Sequence, residues 1–389
     1  MLRRVVPAVL TGAALVLGAL PAQAASAPAA GSVGFQLLGD LPVPGSLSFN
    51  GVPFGGLSGI DYDAANNTWR AISSDSSDHG PARFYFLNLG TSGAQLGTNV
   101  SSSASTAATA QGISAGQVTL LRADGTPYPP SATAGADTVQ PEAIRFDPTT
   151  GDVFWANEGV HNSTLTENPA VRESTTDGHF VKQLPGATQE AGSATTGIRD
   201  GEGLTGLTFS SNGLLAVATL GGPLLQDGPN PTATSGAVTR IMGHSRILGG
   251  LPLVQFAYPL SALPLTDANG NGTNIVSDIL AVDTTHYLVL ETATAPGKGN
   301  SVRLYEIDTT GATNVTTVKS LSGATFTPVS KTLLLDFATL HLSGGVANYS
   351  GLTFGPTLSN GDRSLVLVSD NGFSASVATH ILALDVHGI

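Results

Sequence analysis

A three-strand pattern that recurs five times along the chain is the strongest constraint on its fold. The first strand of each repeat opens with an oxygen-bearing residue, and the second ends on a polar residue, usually a carboxylate. The third begins with a base. The openings are Ser58, Glu142, Thr205, Asp278 and Ser350. The second strands end at Asp75, Glu158, Thr219, Glu291 and Asp370. The third strands begin at Arg83, Arg172, Arg240 or Arg246, Arg303 and His380.

Chain geometry brings these positions together. In an antiparallel meander the start of strand one, the end of strand two and the start of strand three share one edge. If the repeats are blades around an axis, that edge forms a ring at one mouth of a central channel. We therefore predict an all-β fold, a β-propeller of five or six blades, because five repeats are visible and their spacers leave room for a degenerate sixth.

Composition agrees with one large all-β domain. The 389 residues include 48 Gly and 23 Pro with only 11% charged residues, which is typical of many strands and many turns. Paired Asn and Gly residues at 66–67, 212–213 and 360–361 indicate hairpin turns. Residues 32–44 look like a lone strand that could pair with the last repeat and close the circle. Residues 90–116 are of low complexity and indicate a solvated insertion.

The N-terminus is predicted to be a signal peptide, residues 1–24. Arg3 and Arg4 precede an apolar stretch, and Ala22 and Ala24 provide a small-x-small cleavage site. We expect a secreted chain whose single domain spans 25–389, with no membrane attachment after cleavage. Because the chain has no cysteine, core packing alone must stabilise it.

The net charge limits the partners. Loss of Arg3 and Arg4 would change the formal net charge from −12 to −14. Such an acidic surface repels nucleic acid and anionic membranes, and we expect a monomer that acts on a small molecule. A phosphorylated substrate would also be repelled, so that hypothesis requires a bound cation.

The ring combines carboxylates with bases, a combination that suits a metal ion and an anion together. All-oxygen ligands favour Ca²⁺. The predicted metal ligands of the ring are Glu142, Glu158, Asp278, Glu291 and Asp370. The predicted substrate-binding bases are Arg83, Arg172, Arg303 and His380. The catalytic candidates are Glu142, Glu158 and Asp75.

A second calcium signal lies between the third and fourth repeats. Asp267, Asn269 and Asn271 have the spacing of the first half of an EF-hand loop, and Asp278 stands at the twelfth position. The flanks are wrong for helices, so an Asn/Gly-rich turn is the alternative interpretation.

The order of several segments resembles the phytase-like family of secreted bacterial proteins, often called esterase-like of the phytase family. The segments include GLSGIDYD, PEAIRFDPTTGDVFWANEG, LTGLTFSSNG and GLTFGPTLSNGDRSLVLVSDNGF, and the similarity covers the chain from about Gly34 onward. The resemblance implies phosphoester or ester hydrolysis. Positions that match the family pattern are Glu142, Glu158, Glu291, Asp75, Asp370, Arg83, Arg172 and Arg303.

The chain also departs from that pattern. Thr205 and Ser350 stand where the family commonly has Glu, and Thr219 replaces a second-strand carboxylate. We predict a calcium-dependent phosphoester hydrolase, phytase-like or phosphatase-like, at the channel mouth. The alternatives are a non-catalytic ligand-binding propeller and a calcium-dependent lactonase or esterase. The ring charges could also be structural links between blades.

Overall fold

The computed structural model describes residues 33–89, 116–133 and 137–389. The predicted signal peptide lies outside these residues, as does the low-complexity segment except for Gly116. In chain order the strands are β1 (Gly34–Val43), β2 (Ser48–Phe49), β3 (Val52–Pro53), β4 (Leu57–Asp63), β5 (Thr68–Ser73), β6 (Arg83–Leu87), β7 (Gly116–Thr119), β8 (Pro141–Phe146), β9 (Val153–Asn157), β10 (Val160–His161), β11 (Thr166–Glu167), β12 (Ala170–Ser174), β13 (Phe180–Gln183), β14 (Leu204–Phe209), β15 (Leu215–Leu220), β16 (Ala237–Ser245), β17 (Pro252–Leu260), β18 (Thr273–Ala281), β19 (His286–Ala295), β20 (Gly299–Asp308), β21 (Ser330–Asp336), β22 (Tyr349–Thr357), β23 (Arg363–Ser369) and β24 (Thr379–His387).

Five four-stranded antiparallel sheets form the blades of a β-propeller. Blade 1 contains β4 to β7, blade 2 contains β8, β9, β12 and β13, blade 3 contains β14 to β17, and blade 4 contains β18 to β21. Blade 5 contains β22, β23, β24 and β1. The pairs β2–β3 and β10–β11 form two short hairpins outside the blades. The predicted all-β propeller is confirmed with five blades, and a sixth is not found in the described residues.

The ring of blades is closed by the first strand of the domain. β1 pairs antiparallel with β24, from Gly34 opposite His387 to Val43 opposite Thr379. This pairing covers the outer edge of the last blade, which would otherwise present unpaired backbone groups. The structure thereby confirms the role predicted for residues 32–44.

Alternation along the strands fills the space between neighbouring blades. Trp69 in blade 1 and Trp155 in blade 2 are almost completely buried, as are Phe84 and Tyr85 on successive positions of β6. Successive residues of a strand face opposite sides of its sheet, so each blade contributes side chains to both of its interfaces.

The predicted hairpin turns are present. Asn67, Gly213 and Gly361 adopt left-handed backbone conformations, with φ values of 51°, 70° and 90°. These tight turns set the register of the first two strands in blades 1, 3 and 5.

Helical structure is sparse in the part of the chain that the structure describes. It consists of short 3₁₀ turns at Thr188–Glu190, Leu225–Asp227 and Phe337–Leu340. Among the described residues, none of the helices has the length and apolar character needed to span a bilayer.

Candidate functional site at the propeller mouth

Every innermost strand carries a β-bulge at the same level of the axis. Its pairing with the second strand skips one residue in each blade. The skipped residues are Ser58, Glu142, Thr205, Ser277 and Ser350. Four of these are the openings predicted from the sequence. In blade 4 the skipped residue is Ser277, one position before the predicted opening residue Asp278. A bulge re-aims side chains, and this one directs each opening residue toward the mouth.

The residue after each bulge lies where neighbouring inner strands touch. A Cβ added to Gly351 would lie 2.6 Å from the Cα of Gly59, and one added to Gly59 would lie 2.8 Å from the Cα of Ala143. A Cβ on Gly206 would lie 2.9 Å from the Cα of Asp278. Contacts this close exclude side chains between the strands and require glycine. The backbones of the blades therefore meet directly around the axis.

Hydroxyl groups at the openings connect one blade to the next. Ser58 donates to the carbonyl of Pro141 at 3.1 Å, Thr205 to Val276 at 2.6 Å, and Ser350 to Leu57 at 2.9 Å. Each acceptor immediately precedes the opening residue of the following blade. Glu142 is the one opening residue with a carboxyl group. Blade 2 therefore has a carboxyl group at the position where blades 1, 3 and 5 form a hydrogen bond to the next blade.

Asp278 and Arg145 form a buried ion pair on the axis, which we call the plug. Arg145 Nη2 lies 3.0 Å from Asp278 Oδ2, and the two side chains are almost fully buried. The guanidinium also donates to the carbonyls of Ile60 and Leu352 at 2.8 and 3.1 Å. Asp278 accepts the amide of Leu207 at 3.3 Å. Further bonds to Ile144 and Ile279 bring all five blades into contact with the plug.

The plug corrects the predicted role of Asp278. Its carboxylate is neutralised by Arg145 and saturated by backbone amides, so it is not available as a metal ligand. Arg145 was not singled out in the sequence, although a charged residue in the apolar run PEAIRF is a usable signal. A charge inside an inner strand must have a buried partner.

Three of the predicted ring carboxyls have no cationic partner among the described residues, and we call them the mouth cluster: Glu142, Glu158 and Asp370. Gln140 donates to Glu142 at 3.2 Å. Glu158 is 2% exposed, and its buried Oε2 has no hydrogen-bond partner. Asp370 accepts the amide of Gly372 at 2.7 Å. The structure thus brings together three of the ring carboxylates predicted from the sequence.

Burial raises the pKa of each of these carboxyls. Burial is the main cause for Glu142, whose pKa lies well above its ordinary value, and the charges of Glu158 and Asp370 add to it. Burial also raises the pKa of Glu158 to about 8, with contributions from Asp200 and Glu202. The pKa of Asp370 is raised by burial and lowered slightly by Gly372 and Ser74. Glu158 therefore retains its proton at neutral pH.

Two residues on the loop before β14 extend the acidic character of the mouth. Asp200 and Glu202 act on Glu158 through their charges and were not identified from the sequence. Their position in the run RDGEG, directly before an inner strand, places them on the edge that the meander geometry assigns to the mouth.

An aromatic pair lies on the rim beside blade 1. The rings of His79 and Phe373 stack with centroids 4.3 Å apart, and a Cβ added to Gly56 would lie 2.6 Å from the ring of Phe373. Phe373 has a φ of 55°, an uncommon conformation for a non-glycine residue. Asn371 fixes this turn by accepting the amides of Gly56 and Phe373. Strained backbone of this kind is often found next to binding sites.

Asp75 and Arg83 form a buried pair whose hydrogen-bonding groups are used within the protein. Arg83 Nη1 lies 2.6 Å from Asp75 Oδ2, and both side chains are fully buried. Arg83 further donates to the carbonyl of Pro53 at 2.9 Å and to the hydroxyl of Tyr85 at 2.6 Å. Asp75 also accepts the amide of His79. We therefore withdraw Asp75 as a catalytic candidate and Arg83 as a substrate-binding candidate.

The same kind of pair occurs in every blade, and we call the five the latch pairs. Besides Arg83–Asp75, they are Arg172–Asp137 at 2.8 Å, Arg240–Asp227 at 2.6 Å, Arg303–Asp336 at 3.0 Å and His380–Asp40 at 2.9 Å. Each base that begins a third strand is thus neutralised by an aspartate. Arg172, Arg303 and His380 do not converge as an anion clamp, which corrects their predicted role. Only blade 1 takes its aspartate from the end of the second strand.

The carboxylate of Glu291 is also engaged in hydrogen bonds and an ion pair. It accepts hydrogen bonds from the hydroxyl of Tyr258 at 2.8 Å and from Asn274 at 3.1 Å, and it pairs with Lys331. The ammonium of Lys331 lies over the ring of Tyr305 at 4.0 Å. Lys331 was not foreseen, because it lies 40 residues downstream and its strand carries no motif. Glu291 is therefore not free to bind a metal ion.

The loop at 267–271 forms a turn closed by its own hydrogen bonds. The carboxylate of Asp267 accepts the amides of Asn269 and Asn271, both at 2.8 Å, and the side chain of Asn271 at 3.0 Å. This geometry matches the alternative interpretation, an Asn/Gly-rich turn. Asp278, the twelfth residue of the EF-hand-like pattern, belongs to the plug. Among the described residues, no three His, Asp or Glu side chains are grouped in a way that could hold a metal ion. Of the predicted calcium ligands, Asp267 is closed into its own turn, and Asp278 and Glu291 have cationic partners.

Comparison with known proteins identifies the family. The sequence profile of the phytase-like family, described as esterase-like activity of phytase, matches residues 52–373. The chain is a member of the phytase-like family. No curated protein matches it.

The phytase-like chain is also similar in fold to distant solved structures. An α-L-arabinofuranosidase from Lactobacillus brevis has 10% identity and a TM-score of 0.45, covering 83% of this chain and 88% of that one. An endo-arabinase from Bacteroides thetaiotaomicron has 12% identity and a TM-score of 0.45, covering 87% and 95%. The Dos1 propeller has 7% identity and a TM-score of 0.34, covering 87% and 69%. These likenesses are too distant to inform the chemistry.

Proposed function

We propose that this phytase-like protein is a hydrolase of ester bonds whose active centre is the mouth cluster. The observation that supports it is the contrast between the latch pairs and Glu142, Glu158 and Asp370. Elsewhere the buried ring charges have partners, whereas these three carboxyls have no cationic partner among the described residues, and the charges of Glu158 and Asp370 act on Glu142. Buried like charges with raised pKa values destabilise a fold, and they concentrate at functional sites.

The pKa values divide the chemical roles. Glu158 retains its proton at neutral pH and serves as general acid, and Glu142 lies close enough for the charge of Glu158 to raise its pKa. Asp370, whose pKa is raised less strongly, ionises first and serves as general base. Asp370 takes a proton from the attacking water as its oxygen bonds to the acyl carbon. The acid then protonates the departing oxygen as the ester C–O bond breaks, giving a carboxylic acid and an alcohol.

The charge of the mouth favours an uncharged or cationic ester, including a lactone, over a phosphomonoester. The latch pairs use the charges of Arg83, Arg172 and Arg303 within the protein. An anionic phosphoryl group would then be repelled by the carboxylates of the mouth that are ionised, such as the proposed base Asp370. Phosphoester hydrolysis, expected from the sequence, remains the second candidate and requires a cation at the mouth.

Calcium dependence also remains a prediction, and no step above is routed through an ion. Bound Ca²⁺ would polarise the scissile group, and the carboxylates still able to contact it are Glu142, Glu158 and Asp370. Metal analysis of the purified protein and assays with and without a chelator test this directly. Secretion and a monomeric state likewise remain predictions.

The proposed function is tested with a substrate panel at several pH values. We expect turnover of p-nitrophenyl butyrate and a δ-lactone to exceed that of p-nitrophenyl phosphate and phytate by at least about tenfold. The kcat profile should be bell-shaped, falling above about pH 8 as the acid loses its proton.

Variants assign the roles. Glu158→Gln and Glu142→Gln should each lower kcat by about 100-fold or more, the usual contribution of general acid–base catalysis. Glu173→Gln is the matched control, since this buried carboxylate of blade 2 pairs with Lys182; its kcat should remain within about twofold. Wild-type kcat in Glu158→Gln would contradict the proposal, and so would a panel without any turnover.

A further inference from the structure

The end of the axis opposite the mouth, which we call the lower opening, contains a cavity of about 630 Å³. It lies where the inner strands finish, and the plug separates it from the mouth cluster. Aromatic and aliphatic side chains form most of its wall. The apolar lining residues are Tyr62, Ala64, Ala65, Phe146, Pro148, Phe209, Leu280, Ala281 and Val282.

The apolar wall follows from the five-fold repeat. Four residues after each bulge, blades 1, 2, 3 and 5 carry Tyr62, Phe146, Phe209 and Phe354. Blade 4 carries Ala281 at the same position. The collar of aromatic rings is therefore interrupted at one place, and a planar group could occupy the missing position between its neighbours.

Arg363 supplies an unused charge at this cavity. Its guanidinium lies 3.4 Å from the ring centroid of Phe354 and lines the opening. Of the ten arginines in the described residues, eight pair with an aspartate. Arg199 donates to the carbonyls of Pro223 and Gly228. Arg363 alone among those ten has neither a carboxylate nor a carbonyl acceptor.

Arg363 is half-buried, and a partly buried charge without a carboxylate partner is energetically unfavourable. Burial, with no carboxylate to oppose it, lowers the pKa of Arg363. A guanidinium that has lost part of its hydration gains free energy from an anion, most of all from a carboxylate held by two parallel hydrogen bonds.

The aspartates near the lower opening do not compete for Arg363. Asp63 pairs with Arg70, and Asp147 pairs with Arg246. Asp61 accepts the amide of Phe146 at 2.7 Å and the hydroxyl of Thr353 at 2.9 Å. The local charge at this end is therefore less negative than the formal net charge of the chain suggests, and an anion can approach.

We propose that the lower opening binds a small aromatic carboxylate. The carboxylate contacts Arg363, and the ring packs against the collar at Ala281. A cavity of this size is typical of small-molecule sites, and among its charged lining residues Asp61, Asp63, Arg145 and Arg363 only Arg363 has neither a carboxylate nor a hydrogen-bond partner in the described residues. The site does not depend on the proposed hydrolytic function, because the plug closes the axis between them.

Trp69 offers a direct readout of binding. Its ring lies 4.5 Å from that of Tyr62, centroid to centroid, and Tyr62 lines the cavity. The full-length protein is titrated with benzoate while tryptophan fluorescence is followed, and calorimetry measures the affinity. Benzamide, which has the same shape without the charge, and acetate, which lacks the ring, are titrated in parallel. We expect benzoate to bind at least about tenfold more tightly than either.

Two variants locate the site. Arg363→Gln should weaken benzoate binding by at least about tenfold and leave benzamide unchanged. Ala281→Phe should abolish binding of both compounds by filling the gap in the collar. Arg122→Gln is the control, because this arginine pairs with Asp124 on an exposed loop. Melting curves verify that each variant folds.

Several outcomes would overturn the proposal. They are no benzoate binding to the wild-type protein, equal affinity for benzoate and benzamide, equal affinity for benzoate and acetate, or unchanged benzoate affinity in Arg363→Gln and Ala281→Phe. Glu158→Gln should bind benzoate normally, so a loss there would also contradict an independent site.

Discussion

The two ends of the propeller axis are built from the same repeat but treat charge in opposite ways. At the mouth, Glu142, Glu158 and Asp370 have no cationic partner among the described residues, and the charges of Glu158 and Asp370 act on Glu142. At the lower opening, Asp63 and Asp147 each have an arginine. The plug lies between them and cancels its own charges. Five-fold repetition thus provides the scaffold, and individual departures from it provide the sites: a carboxylate among hydroxyls above, an alanine among aromatic rings below.

Removing the ion pair of the plug should cause the largest loss of unfolding free energy. Arg145→Met leaves Asp278 buried without a partner and removes hydrogen bonds to several blades. Breaking a buried pair in this way costs about 3–5 kcal/mol of unfolding free energy. Denaturant unfolding measures the loss, and Arg145→Met combined with Asp278→Ala should recover part of it. If the single variant is as stable as the wild type, the plug does not hold the blades together.

The second-largest effect is the pH dependence of stability that the raised pKa of Glu158 causes at the mouth. Because the pKa of Glu158 is about 8 in the folded protein and ordinary when unfolded, the folded state binds more protons between about pH 4.5 and pH 8. Its contribution to stability is full below this window and is lost as the pH rises through it. The wild type should lose roughly 2–3 kcal/mol more than Glu158→Gln between about pH 5 and pH 7. Parallel slopes for the two proteins would refute the raised pKa.

The smallest effect is expected at the rim. In the latch pair of blade 4, the side chains of Arg303 and Asp336 are 31% and 29% exposed, so solvent screens their attraction. Arg303→Gln should cost less than about 1 kcal/mol of unfolding free energy and leave ester turnover unchanged. A loss of turnover with native stability would instead restore Arg303 as a substrate-binding residue.

The sequence predicted most of the fold because strand period, turn residues and the repeat all indicate the same topology. It also assigned Glu142, Glu158 and Asp370 to one edge of the propeller, since the meander determines which strand ends share an edge. The partners of the charged side chains could not be predicted in this way. Asp278 was assigned to the ring because a one-residue bulge shift reverses the side a residue faces. The aspartates of four latch pairs come from segments outside the three-strand pattern, where no periodicity identifies them.

The closure of blade 5 by β1 keeps the beginning and the end of the domain side by side. Gly34 lies opposite His387 in one sheet. A short peptide could therefore join these residues, and new termini could be opened at the exposed turn around Asn212 without removing any strand from its neighbours. Such a permuted chain would place blade 5 in the middle of the polypeptide, where it would form from contiguous segments.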